Sequence, residues 1–131
     1  MATLRDVIRY LVPARDPVSA SRLLALVFLG EVFSWPRQQL LIPGLAWYAQ
    51  SDDGADLEAR EFISTLATDF FLEFQFTPLR ADVRRRSAAP LPMPSLTASD
   101  REVLDTVLAM TAPCSDPEVL TLVRAHRLPQ F

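Results

Sequence analysis

Apolar side chains recur at helical spacing along most of this chain, and prolines cut the recurrence into segments. Thr3 is placed to cap a helix over 3–12, with Asp6 in its first turn and Leu4, Val7, Ile8 and Leu11 on one stripe, until Pro13 stops it. A second helix starts at Asp16-Pro17 or Ser19. From Arg22 to Phe33 it is apolar almost all round, which predicts the central helix of the domain.

Ser34-Trp35-Pro36 interrupts that helix, and residues 36–50 read as two short pieces split by Pro43-Gly44, with Trp47 and Tyr48 in the second. Ser51-Asp52-Asp53-Gly54 reads as a turn whose carboxylates face the positive end of the next helix. That helix is predicted over 55–74, where Ala59, Phe62, Ile63, Leu66, Ala67, Phe70, Phe71 and Phe74 repeat every three or four residues. Glu58, Glu61, Thr65, Thr68 and Asp69 would form its solvated face.

Phe74-Gln75-Phe76 alternates before Thr77-Pro78, so a short strand pair near 74–78 is expected. Residues 79–86 are predicted as a short helix exposing Arg80, Arg84, Arg85 and Arg86. The prolines from Ala88 to Pro94 then demand an irregular, polyproline-like linker. Beyond it, Ser99-Asp100-Arg101-Glu102 reads as a capping box before Val103, Leu104, Val107 and Leu108, and Pro113 closes that helix. Ser115-Asp116-Pro117-Glu118 repeats the device before Val119, Leu120, Leu122 and Val123. The expected fold is therefore all-α or mainly α, a single-domain helical bundle. Its body is 1–87, its linker 88–96 and its C-terminal helix pair 97–131.

The length of 131 residues and 50% apolar composition are enough for one buried core. Net charge is −3, with acidic residues concentrated over 50–75 and arginines over 76–99, so no global positive field favours nucleic acid. One cysteine, Cys114, excludes an internal disulfide, and with one histidine, His126, it cannot form the usual zinc ligand set; no metal or cofactor is expected. The N-terminus is too charged for a signal peptide, and Leu23–Leu29 is too short to span a membrane, which predicts a soluble cytoplasmic protein.

Catalytic motifs are absent. The chain contains no GxSxG, GxxxxGK[ST] or GxGxxG, and its three glycines cannot build a phosphate loop. His126 near the terminus reads as packing or capping the last helix, Cys114 as a helix-start thiol, and Asp52/Asp53 and Glu58/Glu61 as surface charge. The arginines at 80, 84, 85 and 86 fit three readings: a solvated face, a site for acidic protein surface, or phosphate contacts.

Three pieces of the chain, in order, resemble the Panacea antitoxin family, the SocA-like domain of toxin–antitoxin operons and phage genomes. Asp6-Val7-Ile8-Arg9-Tyr10-Leu11-Val12 is similar to its opening D-V-A-x-Y-[IF]-L helix. Arg22–Glu31 resembles its K-L-Q-K-L-L-Y-x-A-Q helix in apolar placement. Pro78-Leu79 with Val83, and His126, Pro129 and Phe131, are similar to its later G-P-V-x-x-x-V and H-x(n)-P-W signatures. Thr77 stands where the family has glycine, and residues 35–72 have no counterpart. The resemblance implies a helical domain that binds and neutralises a partner toxin, or presents it to a protease, without chemistry of its own.

These readings combine into a non-catalytic protein-binding module whose partner is a protein encoded by an adjacent gene. Trp35, Trp47, Tyr48, Arg80, Arg84, Arg85 and Arg86 are its candidate contacts, with core packing the competing role for the tryptophans. A DNA-binding regulator using Arg80–Arg86 and a structural subunit of a larger assembly are the alternatives.

Overall fold

The computed structural model describes residues 2–37, 40–49 and 57–126; for Tyr48, Ala49, Leu57 and Glu58 this means the backbone alone. The predicted Asp52–Asp53 turn and the terminal Pro129 and Phe131 lie outside it. The chain runs α1 (Leu4–Leu11), β1 (Val18–Ser19), α2 (Ala20–Ser34), a 3-10 turn (Trp35–Arg37), β2 (Trp47–Ala49) and β3 (Leu57–Ala59). It continues as α3 (Arg60–Thr68), β4 (Leu72–Phe76), β5 (Ala81–Arg85), α4 (Ala98–Thr111) and α5 (Asp116–Arg124).

The fold is mainly α. It is not all-α, because β1, β5 and β4 form an antiparallel sheet in that order and β2 pairs with β3.

Helix α2 is the axis of the molecule, as its apolar circumference requires. It touches α1, α4, α5, β1, β3 and β5, and Leu23 and Ala25–Gly30 are buried along it. Its cap is Ser19, whose hydroxyl accepts from Arg22 N–H; Thr3 caps α1 in the same way through Asp6 N–H. Leu104 and Val107 of α4 and Val119 and Val123 of α5 complete the core on one side, while Val7, Ile8 and Leu11 of α1 add to it from another. The box of α5 is Ser115 with Glu118 as read. That of α4 lies two residues earlier than expected: Thr97 is the cap, and Asp100 returns the bond to Thr97 N–H.

Three expectations are overturned between 55 and 86. The long helix is only nine residues, because Leu57–Ala59 is extended against Trp47–Ala49 and the helix stops at Thr68. Asp69 makes the stop: its Oδ1 accepts from Phe71 N–H (2.9 Å), closing a turn that redirects the chain into β4. Phe70 and Phe71 therefore leave the core, and Asp69, assigned to the solvated face, is buried. The segment predicted as a helix over 79–86 is instead a turn followed by the strand Ala81–Arg85. Thr77 N–H donates to Arg80 C=O (2.8 Å), and Thr77 Oγ1 accepts from Arg80 N–H (3.1 Å), forming a tight turn about Pro78-Leu79. Alternation then buries Val83 alone among β5 residues.

Residues 87–96 follow no regular element, yet Leu91 and Leu96 are buried. This segment is a strap laid across α1. Arg9 Nη1 donates to Pro92 C=O (2.8 Å), and Asp6 Oδ2 accepts from Ser95 N–H (2.9 Å) and Ser95 Oγ–H (2.6 Å).

Candidate functional site

The sequence-derived candidates are spread along α2, a helix roughly 22 Å long for its fifteen residues. β1 and its partner β5 lie where α2 begins, while Trp35 follows where it ends. Trp35 is 40% exposed. Trp47 is half-buried, with its ring edge-on to Phe28 at 5.4 Å, so it packs against the core. The side chain of Tyr48 lies outside the described residues.

The arginine run is not one open cationic face, because strand geometry and local acceptors divide it. Arg85 reaches back under the sheet, donating from Nε to Val12 C=O (3.0 Å) and from Nη2 to Arg9 C=O (3.1 Å), and burial lowers its pKa. Arg86 donates from Nε to Leu72 C=O (3.1 Å). Arg80 pairs with Asp82 (2.9 Å). Arg84 is exposed and sits across from Glu73 in the ladder. Two of the four therefore bind backbone carbonyls of this same chain.

His126 closes α5, its Nδ1 2.7 Å from Leu122 C=O and its ring edge-on to Phe33. Cys114 is half-buried in the α4–α5 turn, with Sγ 3.7 Å from Met110 C=O. Among the described residues neither is hydrogen-bonded to a side chain that would make it a nucleophile–base pair. Among the described residues no group of three His, Cys, Asp or Glu side chains is placed to hold a metal ion, and no helix is long and apolar enough to cross a membrane.

Several charged side chains are internal ties, Asp69 among them in place of the solvated face expected for it. Arg9 and Asp69 form a buried two-bond ion pair. Glu31 is buried in α2, where Oε1 accepts from Ile42 N–H (3.0 Å) and Oε2 has no hydrogen-bond partner among the described residues. Desolvation raises its pKa to about 7, against the opposing pull of the Ile42 and Leu41 N–H groups and of Arg37. One acidic residue inside an all-round apolar helix was the signal for such a tie. Burial works against the charge on Asp100, but the Thr97 N–H, Arg37 and the Thr97 hydroxyl outweigh it and hold that pKa below the usual value.

The surface also carries large apolar side chains. Of the six large hydrophobic side chains exposed among the described residues, five lie between residues 63 and 79: Ile63 (52%), Phe70 (81%), Phe71, Phe76 (77%) and Leu79 (96%). Phe70 borders a cleft of about 540 Å³, whose wall carries Arg5 and the hydroxyls of Thr3, Ser64, Thr65 and Thr68. Sequence reading put Ile63, Phe70 and Phe71 on a core stripe and so missed their exposure. Comparison with protein-family models, with curated proteins and with solved structures finds no match to this chain.

Proposed function

We propose that this chain is a non-catalytic protein-binding module of the antitoxin kind, gripping a partner protein and neutralising or presenting it. The concentration of exposed apolar side chains on α3 and the corner that follows it carries this reading. Phe70 shares the wall of the cleft with Arg5 and Ile63 is exposed on α3, and aromatic rings with neighbouring arginine dominate the binding energy of protein interfaces. The similarity of residues 6–12 and 22–31 to the Panacea opening helices supports a toxin as the class of partner.

The reading also explains why so many charged residues are spent on internal ties. Arg9 and Asp69 fix the turn that presents Phe70 and Phe71, so the apolar corner is held in shape before a partner arrives, which reduces the ordering cost of binding.

The experiment is co-expression with the product of the adjacent reading frame. Affinity capture and rescue of growth are expected from the wild type, and Ile63→Asp with Phe70→Asp should abolish both while leaving the thermal melt unchanged. Capture that survives this double substitution would move the interface elsewhere, and no capture by the wild type would remove the reading.

A further inference from the structure

The sheet order β1-β5-β4 makes β4 an edge strand, and among the described residues no strand pairs with its outer side. Which of its backbone groups face outward follows from the ladder. Thr77 N–H bonds to Arg80 C=O and Arg86 N–H to Phe71 C=O (3.1 Å), and antiparallel ladders alternate bonded with non-bonded pairs. With Glu73 opposite Arg84 and Gln75 opposite Asp82, those two residues bond inward to β5. Leu72, Phe74 and Phe76 turn their N–H and C=O groups to the open side.

Leu72 is already provided for. Its N–H donates to Asp69 C=O (3.3 Å), and its carbonyl accepts from Arg86 Nε. The N–H and C=O of Phe74 and of Phe76 have no hydrogen-bond partner among the described residues. Four strand groups thus remain, two donors and two acceptors, on two residues spaced by one. At the far end stands Pro78, which has no N–H to offer.

We propose that this edge pairs antiparallel with the same edge of a second copy of the chain, with Gln75 on the two-fold axis. In that register Phe74 lies opposite Phe76 of the second copy, and the reciprocal pair completes four intermolecular hydrogen bonds. Every open group is used. Leu72, whose groups are already engaged, falls opposite Pro78, which lacks a donor. Shifting by two residues in one direction sets Leu72 against Phe76 and competes with Asp69 and Arg86; shifting in the other sets Phe74 against Pro78 and leaves an acceptor unmet.

The side chains match in the same register. Phe74 is half-buried with its ring 6.4 Å from that of Phe76, which is mostly exposed, so four rings would line one face of the joined sheet and cover the exposed pair. On the other face, Gln75 would meet Gln75 of the second copy, whose amide groups complement each other. Glu73, already accepting from Gln75 Nε2 (2.8 Å), would meet the neutral Thr77. No charge faces a like charge. That self-match favours a second copy over a foreign strand, and an uncovered edge is a hazard that pairing removes.

The interface is small, so association should be reversible and concentration-dependent. It stands apart from the partner-binding reading, which concerns Ile63 and Phe70. Sedimentation equilibrium of the full chain over a concentration series tests it. The wild type should pass from monomer to dimer; Gln75→Lys, which sets two ammonium groups across the axis, should weaken association about tenfold. Gln75→Glu alone should do the same, and an equimolar mixture of the two variants should restore the dimer as a heterodimer. Circular dichroism checks that both variants fold. A wild type that stays monomeric overturns the proposal and leaves the edge to a strand from another protein. A dimer indifferent to either variant, or a mixture of folded variants that does not associate, overturns it too.

Discussion

The guanidinium of Arg9 lies flat against the carboxylate of Asp69, with Nε 2.8 Å from Oδ2 and Nη2 3.1 Å from Oδ1, and both side chains are buried. The pair joins α1 to the end of α3, sixty residues on, and the third arginine donor holds the strap at Pro92. Arg9 also sits over the Phe71 ring at 4.9 Å. Removing one partner strands the other charge in the interior, so Arg9→Met or Asp69→Leu should each cost about 3 kcal/mol in urea unfolding. The double variant should be less destabilised than the sum of the singles, because no orphaned charge remains. Additivity of the two costs would show that the ions do not act as a pair.

The same pair explains where sequence reasoning succeeded and failed. Thr3 and Ser115 were legible as caps, and Ser19 as one of two starts for α2, because such side chains bond to an N–H three residues on, and α2 was legible as the axis because its apolar pattern has no polar face. The end of α3 was not. Phe70 and Phe74 fit both a helical period and the LEFQF alternation, and what decides between them is Asp69 answering to Arg9 across the fold. For β5, three consecutive arginines masked an alternation of which Val83 is the only fully buried member. The candidate surface was missed for the same reason, since rings expected in the core are turned out by that one stop.

Glu31 makes stability depend on pH in a direction opposite to a salt-bridged carboxylate. Its folded pKa, raised by burial to about 7, exceeds the value near 4.5 of an unperturbed glutamate, so the folded state binds a proton that the unfolded state releases. The contribution is complete below about pH 4.5 and is lost as pH rises through 7. The loss should amount to about 3 kcal/mol between pH 4.5 and 8. Glu31→Gln keeps an acceptor for Ile42 N–H and carries no charge, so it should flatten the profile over this range and exceed the wild type at pH 8. Urea midpoints at pH 5 and pH 8 check this; equal slopes for both proteins would place the titration elsewhere.

Gly30 sits where α2 meets Leu41 and Leu104, and a Cβ added there would lie 3.0 Å from Leu41 Cδ2 and 3.4 Å from Leu104 Cδ2. Alanine would gain about 1 kcal/mol of helix propensity. Both leucines are fully buried, so crowding them should cost about 2 kcal/mol and outweigh that gain. Gly30→Ala should therefore lower the melting temperature by a few degrees, and Leu41→Val in the same chain should recover part of the loss. A Gly30→Ala protein more stable than the wild type would show that the Leu41 side chain swings aside freely.

Neighbouring arginines on β5 should behave unlike each other, since strand alternation sends them to different surroundings. Arg85 provides two charge-assisted bonds to the carbonyls of Val12 and Arg9, which end α1, whereas Arg84 stands exposed beside Glu73. Arg85→Ala leaves both carbonyls without that donor and should destabilise by about 2 kcal/mol. Arg84→Ala should change stability by less than about 0.5 kcal/mol. Thermal melts of the two variants separate a strand from a solvated helix face, because an exposed helix would make the two losses equal and small.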